Sequence, residues 1–375
     1  MFNLQQTDLI LPGRMPVVIR RAYRSQDPGD PPSFAPPVRE LVNSNAFGFN
    51  TALLEYDDRM TFAGNGQSVF YTSGFSRETL SLQSDGTYRT GRTPNLAGRV
   101  ARVNQDGSTT LRDKNGTVHT FGTDGWIRSI TDRNGNTVTI VRSGNQIQQI
   151  VEPGGRALTF QYGSGGISQI TDPLGRTVRY TYEASPPPFG QAQLRSVENP
   201  AGGTTTYTYD GRFNLLTITD ARGIVYLSNT YVTGNINRPP DPALASQTLA
   251  DGGVYRFDYV VTNRSVSQVT VTDPRSHATI QRFTGRNHPA ATSDAVGQQT
   301  RITRDFTTNQ VTETCDPLNR LTKFTYDLAG NVNSILDPQQ NPTLFEYEAT
   351  FNRVTKITDA LNQPTRLTYD PAALL

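Results

Sequence analysis

The chain has 375 residues, with 35 basic against 33 acidic side chains and a net charge of +2, so no strong field selects nucleic acid or an anionic membrane. No run of 18 apolar residues can form a spanning helix, and Met1 to Asp8 carries neither the basic nor the apolar region of a signal peptide. One cysteine, Cys315, excludes an internal disulfide, and the three histidines, His119, His277 and His288, fall in no metal-ligand spacing.

Residues 1–99 read as a β-rich module ahead of the repeats. The segment Thr7 to Arg14 is followed by Arg20-Arg21-Ala22-Tyr23-Arg24-Ser25, and then by Phe47-Gly48-Phe49. The one helix candidate is short, around Pro37 to Ala46. Gly64-Asn65-Gly66 is a turn, since no P-loop Lys-Ser/Thr follows it.

From about residue 100 the chain repeats itself. ITDPLGRTVRYTY at Ile170 to Tyr182 returns as ITDALNQPTRLTY at Ile357 to Tyr369. The residue before the turn serves as a ruler. It falls at Asp273, Asp294, Asp316, Asp337 and Asp359, in steps of 21 and 22. Upstream it falls at Asp113, Asp132, Glu152, Asp172, Asn199, Asp220 and Asp251. Insertions near 183–193, which holds Pro186 to Pro188, and near 232–250 stretch two of the units.

Each unit has the chemistry of a β-hairpin. Asp172-Pro173-Leu174-Gly175 suits a tight turn, with proline second and glycine last. Thr177 to Tyr182 has period two and is rich in β-branched and aromatic residues. Val178, Tyr180 and Tyr182 therefore share one face, and Thr322, Phe324 and Tyr326 share another. Asp327-Leu328-Ala329-Gly330-Asn331 turns the chain again. The predicted fold is all-β: a dozen hairpins of 20–22 residues, about 24 strands, forming a continuous curved sheet over residues 100–375.

At these residues the array resembles the Rhs/YD repeats of bacterial polymorphic toxins, of the Tc toxin shell and of the teneurins. The tyrosine–aspartate signature stands at Tyr209-Asp210, Tyr326-Asp327 and Tyr369-Asp370, with Tyr182-Glu183 and Tyr347-Glu348 as variants. The Thr7–Arg14 and Arg20–Ser25 motifs are similar to the module that precedes such repeats. The resemblance implies one long sheet that spirals into a hollow shell around a C-terminal toxin. The family's self-cleaving core motif is absent here, and the chain ends inside a turn, which reads as a fragment or truncated member.

Structural roles account for the prominent residues. Turn carboxylates Asp132, Asp172, Asp210, Asp220, Asp316, Asp327, Asp337, Asp359 and Asp370 cap backbone N–H groups. Gly175 and Gly330 supply positive φ, and Tyr180, Tyr182, Tyr209, Tyr326, Tyr347 and Tyr369 pair across strands. The carboxylates recur singly, unlike the facing pair of a glycosidase. His119 sits on a strand, Cys315 reads as a small buried residue, and strand arginines such as Arg179, Arg301 and Arg366 line solvated faces. The sequons Asn115-Gly116-Thr117 and Asn263-Arg264-Ser265 read as chance matches.

The functional expectation is a non-enzymatic scaffold without catalytic, cofactor or metal residues. It would form part of a larger secreted or surface-displayed bacterial protein. Its partners would be the remaining shell or a C-terminal toxin segment, not nucleic acid. A carbohydrate-binding or adhesion module on tyrosine-rich faces is the alternative, and a glycan-cleaving enzyme the third reading.

Overall fold

A computed structural model describes residues 3–25, 51–90, 94–184, 192–232, 243–263 and 265–369. The helix candidate at 37–46, Phe47 to Phe49, Pro186 to Pro188, Arg264 and Asp370 lie outside the described residues. So does most of the second insertion.

The described chain is almost entirely β-structure, with one 3-10 turn at Pro94–Leu96. Strands β1 (Asn3–Leu11), β2 (Val17–Arg24) and β3 (Thr51–Leu53) form a small antiparallel sheet. The other 29 strands, from Arg59–Phe62 to Pro364–Arg366, pair in chain order as one long antiparallel hairpin sheet. This sheet starts ahead of residue 100, because the hairpins from Arg59 onward join the same ladder.

The alternation seen in the sequence sets the faces. In Thr177–Ala184, Val178 and Tyr180 are buried while Arg179 and Thr181 are exposed. In Leu321–Tyr326, Thr322, Phe324 and Tyr326 are half-buried and alternate with exposed Lys323 and Thr325. Burying a Val, Ile or Phe side chain in this way stabilises by about 1.5–3 kcal/mol.

The chain divides into two compact units. One contains residues 1–58, 72–77 and 138–288. Buried in it are Val17 and Ile19 of β2 and Ile140, Ile150, Leu158, Ile170, Val178 and Ile218 of the ladder. The other contains residues 59–71, 78–137 and 289–375. Met60, Leu80, Leu111, Phe121 and Ile127 fill its core. There Arg59 bridges back to Trp126, with its guanidinium 5.0 Å from the ring centroid. The apolar face of later strands is only half-covered. Phe257, Val269 and Ile280 in the first unit, and Ile302, Phe324, Ile335, Phe345 and Ile357 in the second, remain partly accessible.

Candidate functional site

Three devices recur or converge in the fold. The first is the turn carboxylate. Asp172 Oδ1 accepts the N–H groups of Leu174 and Arg176, each at 2.9 Å, and Oδ2 accepts Arg176 Nε at 2.7 Å. Gly175, at φ +78°, donates its N–H to the Asp172 carbonyl at 3.0 Å. This is a type I turn followed by one left-handed residue, the three-residue hairpin loop. Asp132, Asp210, Asp220, Asp316, Asp337 and Asp359 likewise accept backbone N–H groups two and four residues on. Asp327 accepts the Asn331 N–H at 2.8 Å, and Gly330 turns at φ +76°.

These bonds favour the ionised form. The Ile224 amide and the Arg222 side chain hold Asp220 below the usual carboxylate range, and the Arg320 side chain does the same for Asp316. One ruler position shifts in the structure. The slot of Asp172 is taken by Leu249, whose carbonyl accepts the Gly252 N–H, and Asp251 lies two residues later and caps Gly253. The Asp251-Gly252 pair sits inside the loop there, because Gly252 takes the left-handed position at φ +82°.

The second device is a tyrosine staple. Tyr182, Tyr209, Tyr326, Tyr347 and Tyr369 each donate the phenolic O–H to a carbonyl fifteen residues earlier, at 2.6–2.8 Å. The acceptors are Ile167, Leu194, Val311, Val332 and Val354. A register shift precedes four of these tyrosines, at Thr181/Tyr182, Thr208/Tyr209, Thr325/Tyr326 and Glu346/Tyr347. The staples link into a chain. Tyr182 faces Leu194 across one ladder step, and the Leu194 carbonyl takes the hydroxyl of Tyr209 from the next. Burial pushes the Tyr182 and Tyr209 hydroxyls far above their usual pKa, so they stay protonated donors. The sequence shows these tyrosines as cross-strand packers; the hydroxyl partner and the bulge are invisible there. The one signal is the constant place of Tyr ahead of Asp or Glu.

The third device lies in the first unit, where β1 and β2 meet the ladder. Arg21 Nη2 donates to Asp8 Oδ1 at 2.9 Å and to the Tyr207 hydroxyl at 3.2 Å. Tyr180 donates its O–H to Asp8 Oδ2 at 2.9 Å. The Asp8 and Arg21 side chains are 4% and 5% exposed. Burial opposes the Arg21 charge, but Asp8 and the Tyr207 and Tyr180 hydroxyls outweigh it and hold the guanidinium pKa above its usual value. Beside this cluster Tyr23 donates to the Phe213 carbonyl at 2.9 Å and accepts the Leu215 N–H at 2.8 Å. It clamps a turn in which Phe213 holds φ +68° in the slot that Gly330 fills elsewhere. Asp8, Arg21 and Tyr23 all come from the N-terminal motifs, and only the fold brings them to Tyr180 and Tyr207.

The remaining candidates stand apart from one another. His119 lies in the strand Val118–Phe121, with Nε2 3.6 Å from Asp113 Oδ2, and Arg99 Nε reaches Asp113 Oδ1 at 2.7 Å. His277 pairs with its own turn residue Asp273 at 3.3 Å. Cys315 is buried and accepts Arg301 Nη2 at 3.0 Å. Among the described residues no group of three His, Cys, Asp or Glu side chains is placed to hold a metal ion. No described helix is long and apolar enough to cross a membrane.

Residues 193–225 match the model of the RHS repeat. No curated protein matches the sequence. The fold aligns with the TcdB2-TccC3-Cdc42 crystal structure at 11% identity and TM-score 0.47, over 98% of this chain and 22% of that one. The Photorhabdus luminescens Tc holotoxin pore aligns at 13% identity and TM-score 0.47, over 98% and 22%. A porin-like protein from Bacteroides uniformis aligns at 12% identity and TM-score 0.20, over 67% and 89%. The chain thus spans about a fifth of the length of the first two. Residues 193–225 include Tyr209, Asp210 and Asp220, and the same turn carboxylate and staple recur as far as Asp359 and Tyr369. Residues 193–225 are thus similar to an RHS repeat, and the turn carboxylate and staple they contain are the ones that recur along the ladder.

Proposed function

We propose that this chain is a structural scaffold without enzymatic activity: a wall segment in the Rhs-type shell of a larger bacterial toxin-delivery or contact protein, secreted or displayed at the surface. The observation that carries this reading is the recurrence of the staple and the turn carboxylate from copy to copy. In these copies a Tyr hydroxyl fixes a strand to the one before it, and an Asp organises the loop between the two at Asp172 and Asp316. Such residues extend a sheet. The half-covered apolar residues, Phe257 in the first unit and Phe324, Ile335 and Phe345 in the second, support a role in contacting other polypeptide, either the remaining shell or a C-terminal toxin segment.

Cross-linking mass spectrometry on the natural full-length product tests this. Cross-links from residues 254–358 to polypeptide outside residues 1–375 are expected. Internal cross-links alone, combined with specific capture on a glycan array, would overturn the scaffold in favour of an adhesion module. Turnover of a polysaccharide that is lost with one carboxylate change would overturn it in favour of a glycosidase.

A further inference from the structure

In the second unit the strand Arg59–Phe62 opens the long sheet. Backbone N–H groups along such a strand point alternately to its two sides. Ala63 donates to the Ser68 carbonyl of the next strand at 3.0 Å, so the N–H groups of Thr61 and Ala63 face that neighbour. Those of Met60 and Phe62 face outward. A bare outward row on a first strand is a template for another chain.

Here a loop of the same unit meets that side. Met60 donates its N–H to the Gly125 carbonyl at 2.8 Å, and Arg59 forms an antiparallel bridge with Trp126. The loop joins the strands Val118–Phe121 and Ile127–Thr131, so the sheet returns to its own first strand. Its shape is held by bonds that do not involve that strand. Gly125 donates to the Gly122 carbonyl at 2.8 Å, and Gly122 donates to the Trp126 carbonyl at 2.9 Å. Asp124 Oδ1 accepts the Trp126 N–H at 3.2 Å, and Oδ2 accepts Arg128 Nη2 at 2.6 Å. Gly125 is left-handed at φ +81°, and a Cβ there would drive into the Met60 carbonyl oxygen. Glycine is thus required twice, for the turn and for the close approach of two backbones. Met60 and Trp126 are both buried where they meet.

We infer that the loop Gly122–Trp126 is a cap on the first edge of the sheet, and that it keeps a second copy of this chain from adding a strand to Arg59–Phe62. The outward N–H of Met60, which an incoming strand would need, is already bonded within the chain. The inference concerns this edge alone and stands independently of the scaffold reading.

Gly125→Ala in the full chain tests it by placing a Cβ against the Met60 carbonyl. Hydrogen exchange at the Met60 amide should quicken by about tenfold, the loss of roughly one backbone hydrogen bond. Sedimentation velocity should show concentration-dependent self-association beyond that of the parent chain. Gly175→Ala puts alanine in a left-handed slot of another hairpin loop, at φ +78°, and should change neither readout. Phe62→Pro added to Gly125→Ala removes the next outward N–H and should abolish the association, because proline cannot donate to an added strand. No added association in Gly125→Ala would overturn the inference, and so would association that persists with Phe62→Pro. Should Gly125→Ala lose the β-sheet circular dichroism signal, Asp124→Ala, which loosens the loop without touching the strand, replaces it and the same comparison decides.

Discussion

Removing Arg21 tests how the N-terminal sheet is pinned to the ladder. Arg21→Met keeps most of the side-chain volume and leaves the Asp8 carboxylate buried with the Tyr180 hydroxyl as the remaining donor among the contacts described. Breaking a buried pair by removing one partner costs about 3–5 kcal/mol, because an uncompensated charge stays in the interior. Asp8→Asn leaves Arg21 uncompensated and should cost a similar amount. The double variant buries neither charge. The amide carbonyl that Asp8→Asn introduces can still accept the Tyr180 O–H, so the main loss is the donor to the Tyr207 hydroxyl, about 1–3 kcal/mol. The double variant should therefore be more stable than either single one, with a coupling energy above about 3 kcal/mol between two residues in direct contact. Urea unfolding of all four proteins, followed by far-ultraviolet circular dichroism, measures the cycle. If the two single losses simply add, or if Arg21→Met costs under about 1 kcal/mol, the cluster does not pin the sheet.

Three other outcomes follow from the turns and the buried tyrosines. Gly175→Val should destabilise by about 1–3 kcal/mol from backbone strain alone, since its φ is +78° and none of the described residues comes within 4 Å of a Cβ placed there. Gly330→Val should cost more, because its Cβ would also press on Ala97; equal melting temperatures for the two variants would contradict this. Hydrogen bonds from the Ile224 amide, the Arg320 side chain and the Asn341 side chain depress the pKa values of Asp220, Asp316 and Asp337 in the folded chain. Their contribution is complete above the unfolded value near 3.9 and is lost as pH falls through the folded values, so the melting temperature should drop below about pH 4. A flat profile between about pH 5 and 2 would refute it. Burial raises Tyr162, Tyr56 and Tyr259 to about 12. Stability from these groups is complete below the unfolded value near 10 and is lost as pH rises from there to about 12. Ultraviolet titration of phenolate should show ionisation and unfolding together in that window.

How much of this protein is legible before folding depends on the reach of each interaction. The hairpin loops are legible because they are local. Asp172 binds amides two and four residues away, and Gly175 needs only its own φ, so composition and spacing declare both. The strand faces are legible because the period of two is a property of the backbone, as Val178 and Tyr180 show against Arg179 and Thr181. Asp251 marks the limit of that logic. An acidic residue at nearly the right spacing reads as the first turn residue, while the left-handed slot at Gly252 sets the loop around Leu249. The staple hydroxyls, fifteen residues from their acceptors, require the ladder and its bulges to exist before a partner can be assigned. Asp8, Arg21 and Tyr23 stand out as a motif, but their partners Tyr180, Tyr207 and Phe213 lie more than 170 residues on. The contact of Gly116 with Phe351 is longer still. Sequence alone determined strands, turns and the repeat, since neighbouring residues set backbone preference directly. Tertiary structure decided which hydroxyls, charges and glycines meet, because the members of each such pair lie fifteen or more residues apart and meet only once the sheet has brought them within a few ångströms.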